Sequence, residues 1–404
     1  MTKLAHCLSL VAVFAGLTLP AWPQTTTSTP TATPLYRVKT DTVTGAPLAT
    51  TGPTGFTPAQ VRKFYGFDLI TNTGSGQTIG IVTAYDNPNL AADLATFNTK
   101  FALPACTTAT GCLKIVYATG TKPVANSTWA LEASLDVQWS HAIAPAAKIV
   151  VVEAASNAIA DLMTAVDVAV ANGANVVTMS FGTTEVSTET SNDSHFAVAK
   201  VTFVAASGDS GTGVRYPAVS PYVLSVGGTK MTAADTKGTF KSETAWSGSG
   251  GGRSLFELIP SYQSGYPIPS ATSYRGQPDV SYGADPTAGF SVYDSVAYNG
   301  STGWFVVAGT RAGSPQWAAL AAIANSLRVA AAKQPLNATS TSSINTLLYK
   351  IGASATYATN YRDITSGTNG TCGTLCTAAT GYDYVTGLGS PKANVVINSL
   401  VAQP

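Results

Sequence analysis

The sequence predicts an α/β fold: a doubly wound, mostly parallel sheet flanked by helices. Three observations carry that expectation. Short apolar runs alternate with helix-length segments through the first half of the chain. Runs such as Ile149 Val150 Val151 Val152 are apolar on both faces, as a strand covered by helices on each side requires. A length of 404 residues with 45% hydrophobic content is ample for one large core. Such folds place their sites at the carboxyl ends of the strands, so the loops after Thr83, Met179 and Ala205 are expected to line a cleft.

Taken in order, the stretch 25–55 is rich in Thr and Pro without sustained periodicity and reads as an exposed, flexible leader. Thr57 before Pro58 is a helix start, with the hydroxyl as cap and Pro at the first helical position. Strands are expected over 78–83, 113–117, 148–152, 175–179, 201–205 and 222–226. Helices are expected over 90–101, 129–142, 158–171 and 195–199. From Gly227 onward Gly, Ser and Tyr become more frequent, with short strands near 289–293 and 304–307 and helices over 311–332 and 343–349. No linker composition divides the chain, so 56–404 reads as one domain.

Composition narrows the function classes. Only 11% of residues are charged and the formal net charge is +1, so there is no basic stripe for nucleic acid or an anionic membrane. Residues 1–24 read as a secretory signal, with Lys3 ahead of an apolar stretch from Leu8 to Leu19 that is too short to cross a bilayer comfortably. The expected product is extracellular and monomeric, with no membrane association after signal removal. Removal of the signal takes Cys7 with it and leaves Cys106 with Cys112 and Cys372 with Cys376. Three connectivities are open, and disulfides within the two close pairs are expected. Zinc is disfavoured because neither His141 nor His195 lies near either pair in sequence.

Glu132 and Asp136 stand four apart on an expected helix, so their carboxylates share one face. Like charges at that spacing ordinarily mark a solvated face, yet Leu131, Leu135 and Trp139 make this segment apolar. Asp209 sits in Ala206 Ser207 Gly208 Asp209 Ser210 Gly211, a setting that by itself suggests an Asx turn. The run from Glu132 to Pro145 closely resembles the helix bearing the catalytic Glu and its partner Asp in the sedolisin (serine-carboxyl) peptidase family, which has a subtilisin-like fold. The resemblance extends from Phe56 to the end of the chain. It implies that Glu132 is the general base, that Asp136 orients it, and that Asp209, protonated, supplies the oxyanion hole. It also implies that Ser180, Phe181 and Gly182 line a groove for an extended peptide or protein substrate. A Ser-His-Asp triad is not expected, because no histidine has a suitable setting.

One position departs from the family. In Gly309 Thr310 Arg311 Ala312 Gly313 Ser314 Pro315, Arg311 occupies the place of the nucleophilic serine. An arginine stays protonated and has no attacking oxygen. A guanidinium among Glu132, Asp136 and Asp209 is expected to form a salt-bridged plug and to hold Glu132 and Asp209 ionised. Ser314, one helical turn away, is the nearby alternative nucleophile. Near the C-terminus, Asp363, Ile364, Ala379, Gly381 and Asp383 resemble the family's calcium site, with two hard carboxylates and main-chain carbonyls of Ile364, Ala379 and Gly381. The sequence therefore implies a secreted serine-type endopeptidase homologue whose peptidase activity is lost or severely reduced. The alternatives are an active acid endopeptidase using Ser314 and a non-catalytic extracellular scaffold.

Overall fold

The computed structural model describes residues 29–34, 36–40, 45–269 and 273–404. The expected signal, 1–24, lies outside them. The folded region opens where the sequence places a helix start: the Thr57 hydroxyl accepts from the Gln60 N–H at 3.4 Å, and the Gln60 carboxamide accepts from the Thr57 N–H at 2.8 Å. This reciprocal cap begins the helix Pro58–Tyr65, which ends at Gly66 with φ 86°.

The central sheet runs Phe240–Ala245, Val223–Ala233, Thr202–Ala206, Val176–Met179, Thr78–Ala84, Lys148–Ala154 and Leu113–Tyr117. Val280–Gly283 also pairs with Val223–Ala233. All pairings are parallel except that of Phe240–Ala245, which is antiparallel. Strand alternation divides the core into two layers. Ile149 and Val151 pack with Leu131, Leu135 and Leu320 on one face, and Val150 and Val152 pack with Leu162, Met163 and Val166 on the other. That division explains the uninterrupted apolar run, and the doubly wound expectation agrees with it.

Two helices of the first layer carry residues of the site. Ser127–Ile143 is capped by the Asn126 side chain and is buried from Trp129 to Ile143, carboxylates included. Thr310–Ala330 starts after Gly309, whose φ of 111° lets the chain turn out of the strand Ser301–Ala308. A Cβ at Gly313 would stand 2.7 Å from Tyr282 Cβ and 2.8 Å from Val226 Cγ1, so this helix lies very close to the sheet.

Three local expectations are corrected. The strand expected to end at 226 continues to Ala233, because Gly227 and Gly228 permit close packing; a Cβ at Gly228 would meet Trp246 at 2.7 Å. Of the helix expected over 195–199, only His195 is helical, as the last residue of the 3-10 segment Glu189–His195; Asn192, Asp193 and Ser194 favour tight turns, and 196–199 are non-helical. The leader is not a detached tail in its described residues. Thr33–Pro34 pairs antiparallel with Phe181–Thr184, and Arg37–Val38 pairs antiparallel with Ser301–Ala308. Among the described residues, no helix is long and apolar enough to cross a membrane.

Candidate functional site

The buried carboxylate helix and the start of Thr310–Ala330 meet at an ion pair between the Arg311 guanidinium and the Glu132 carboxylate, both essentially without solvent exposure. Burial opposes the guanidinium charge and lowers its pKa well below the ordinary value, with Tyr36 acting the other way. The adjacent carboxylate also retains the cation, since separating a buried pair would leave both charges uncompensated.

One turn along the helix, the Asp136 carboxylate accepts the Ser180 hydroxyl at 2.7 Å. Burial pushes Asp136 well above the usual carboxylate range, and the Ser180 hydrogen bond acts in the opposite direction. Ser180 thus reaches the carboxylate helix with its side chain. Phe181 and Gly182, which follow it, form strand pairs with Pro34 and Thr33.

Asp209 is built differently. It follows the strand Thr202–Ala206, on a turn where Gly208 has φ 123°. Its Oδ1 accepts from the Thr310 N–H at 2.8 Å and from the Thr310 hydroxyl at 2.9 Å. Its Oδ2 has no hydrogen-bond partner among the described residues. Burial raises Asp209 to about 7, against the Thr310 hydrogen bonds and the charges of Arg37 and Arg215. The expectation that a cation would hold it ionised is therefore corrected: desolvation dominates, and Asp209 carries a proton in acid.

The ring of acids around Arg311 resolves into separate contacts. Glu132 takes the guanidinium, Asp136 takes Ser180, and Asp209 takes Thr310. Ser314 faces the sheet, fully buried, with its hydroxyl 2.8 Å from that of Thr178. Chemically, the site holds a buried cation paired with one carboxylate, and a separate buried acid that carries a proton in acid.

Sequence reasoning missed Thr310, Tyr36 and Arg37. The Tyr36 ring lies 4.3 Å from the Arg311 guanidinium carbon, its hydroxyl donates to the Thr128 carbonyl at 3.3 Å, and Arg37 donates to the Asp209 carbonyl at 3.1 Å. The signal was the short alternation Tyr36 Arg37 Val38 Lys39, apolar then polar, inside a stretch dominated by Thr and Pro.

Cys106 joins Cys112 and Cys372 joins Cys376, as expected, with Cα separations of 5.0 and 5.3 Å. The ground for setting zinc aside is corrected: His141 packs beside the first pair, with ligand atoms of the three residues within 4.8 Å of one another. The sulfurs are joined, however, and metal binding needs thiolates. In the C-terminal loops, Asp363 accepts from the Gly381 N–H at 3.1 and 3.0 Å through its two oxygens, and Asp383 accepts from the Ala379 N–H at 3.1 Å. Both acids thus bracket one loop. Gly381 has φ 82°, whereas Ala379 has no positive φ and its side chain imposes no strain there. Burial raises Asp383 to about 6, against hydrogen bonds from Ala379, Val385 and Thr386. Carboxylates and main-chain carbonyls are the hard oxygen donors that calcium takes.

A subtilisin-like sheet with two buried carboxylates on one helix and a third acid on a strand-end turn defines a peptidase-like protein. Residues 120–371, more than half of the 404-residue chain, match the Subtilase family. The chain belongs to that family, and its relatives there are sedolisins. It is 30% identical to kumamolisin of a Bacillus species over 384 residues, covering 86% of this chain and 64% of kumamolisin. It is 33% identical to xanthomonalisin of a Xanthomonas species over 195 residues, 44% of this chain and 21% of that protein. The chain thus spans less than two thirds of these relatives' length. The fold also matches a solved structure of Pseudomonas sedolisin, a serine-carboxyl proteinase complexed with two molecules of pseudo-iodotyrostatin. The TM-score is 0.70 at 24% identity, covering 86% of this chain and 98% of that one.

Proposed function

We propose that this chain is a secreted sedolisin homologue that binds extended peptide segments and has lost, or nearly lost, the ability to cleave them. The observation that supports this reading is the buried ion pair between Arg311 and Glu132. On the family resemblance, Arg311 stands for the nucleophilic serine and Glu132 for the general base. In subtilisin, removing the nucleophile lowers turnover by roughly a millionfold. The buried contact of Ser314 with Thr178 weighs against its serving as a substitute. Peptide binding is supported by the pairing of Phe181–Thr184 with the extended segment Thr33–Pro34 and by the proton that Asp209 carries in acid.

Asp363 and Asp383 would hold calcium together with the carbonyls of Ile364, Ala379 and Gly381. The ion would neutralise two acids and tie neighbouring loops together. The test of the functional reading is incubation with denatured protein at acid and neutral pH, comparing the unaltered chain with Arg311→Ser. The unaltered chain is expected to leave the protein intact, and strong cleavage by it would overturn the reading. Calorimetric titration with extended peptides separates this reading from a scaffold role, in which no groove-dependent binding occurs.

A further inference from the structure

The leader crosses the cleft in the manner of a bound peptide. Upstream, Pro30 accepts from the Ile159 N–H at 3.0 Å, and Ala32 exchanges hydrogen bonds with Asn157. Thr33 and Pro34 then add a strand to Phe181–Thr184, whose other edge pairs with Arg215–Tyr216. Tyr36 covers Arg311, and Arg37 reaches the Asp209 carbonyl. Val38 pairs with Val307, and the Lys39 N–H donates to the Val306 carbonyl at 2.9 Å. The described leader residues thus lie against Arg311, which pairs with Glu132, and against Asp209. Beyond its upstream end lies a cavity of about 240 Å³, lined by Pro30, Ile159, Val186 and Tyr216 among others.

The guanidinium at the centre of this path is used on two sides. A planar cation can meet a carboxylate at its edge and an aromatic ring on its face at the same time, which neither a serine nor a lysine can reproduce. Glu132 holds Arg311 through a terminal nitrogen, and the Tyr36 ring lies 4.3 Å from the central carbon.

We propose that Arg311 is a recognition residue: its guanidinium face is a platform for an aromatic side chain of an extended peptide, and the chain's own leader is the resident ligand, with Tyr36 in that place. This rests on the peptide-groove reading and specifies its partner. The preferred peptide carries an aromatic residue two positions after the one paired with Phe181, and a basic residue next, as Tyr36 and Arg37 do. An external peptide binds by displacing the leader, so occupancy is self-regulated.

The test uses the full exported chain and its Tyr36→Ala, Tyr36→Leu and Tyr36→Phe variants, each first checked for an unchanged melting temperature. Limited trypsin digestion reads leader docking through cleavage after Arg37 and Lys39. A synthetic peptide copying residues 30–39 reads the groove by calorimetry. In Tyr36→Ala and Tyr36→Leu, tryptic cleavage is expected to accelerate about tenfold or more, and peptide affinity to rise by a similar factor. Tyr36→Phe should stay much closer to the unaltered chain than the other two, losing only the hydroxyl's bond to Thr128, because the ring and not its packing volume is the anchor. Equal cleavage in all four proteins overturns the proposal. If the leader is released but the peptide does not bind, the groove reading fails while leader docking stands. If the peptide binds equally well with alanine at its tyrosine, the groove survives and aromatic recognition by Arg311 is wrong.

Discussion

The two halves of the cleft have taken opposite courses from similar starting materials. On the carboxylate helix, Glu132 is buried and paired with a cation; on the turn after Thr202–Ala206, the buried Asp209 carboxyl is hydrogen-bonded by the N–H and hydroxyl of Thr310, with Arg37 and Arg215 acting on it by charge. A full counter-charge consumes an acid, whereas two hydrogen bonds to one oxygen leave burial in control and the other oxygen able to carry a proton. One acid is thus neutralised by a cation, and the other keeps a raised pKa and one oxygen without a hydrogen-bond partner among the described residues. On the proposed reading, the first would close the attacking side and the second would keep a donor for a carbonyl oxygen.

The strongest way to break this comparison is to return the serine. Turnover by Arg311→Ser on denatured protein is expected to exceed that of the unaltered chain by several orders of magnitude, within the roughly millionfold range a nucleophile controls. Its activity should fall as pH rises through about 7, because Asp209 then loses the proton it donates. Adding Asp209→Asn, a donor at every pH, should remove that fall in a pH–rate profile. Persistence of the fall would assign it to another group.

Next in size is the energy of the closed half. Glu132→Gln leaves a buried cation without its carboxylate and should lower unfolding free energy by about 3–5 kcal/mol in denaturant melts. A loss below about 1 kcal/mol would mean that the pair is solvated in solution.

Stability should also depend on pH in a direction set by the buried acids. Burial raises Asp209 and Asp294 to about 7, Glu153 and Glu257 to about 8 and Glu189 to about 9, all above their ordinary values near 4. Over that interval the folded chain holds more protons than the unfolded one, so stability is greatest in acid and falls as pH climbs toward 9. Melting temperatures that rise from pH 5 to pH 8 would contradict this sign. The smallest effect expected is that of calcium. Chelation should lower the melting temperature by a few degrees, and Asp383→Asn should abolish the response, consistent with a site of modest saturation.

The parallel core was legible because it rests on composition and period: strands buried on both faces need apolar residues at every position, as 149–152 have. The carboxylate helix was legible because its acids sit among Leu131, Leu135 and Trp139, where solvation cannot explain them. The leader was not, because Thr33 and Pro34 form their pairs through the backbone, which a side-chain pattern does not record. Nor was the long strand Val223–Ala233, since its paired glycines read as a break until Trp246 is seen against them. The raised pKa of Asp209 comes from its burial, with Thr310, about a hundred residues later, acting against it, and neither could be read from its own turn.

A double-mutant cycle tests the central claim most directly. Unfolding free energies of Arg311→Met, Glu132→Gln and the combined variant should show a coupling of roughly 2 kcal/mol or more, with the double variant more stable than either single one. Additive losses, within about 0.5 kcal/mol, would show that the guanidinium and the carboxylate do not hold each other in solution.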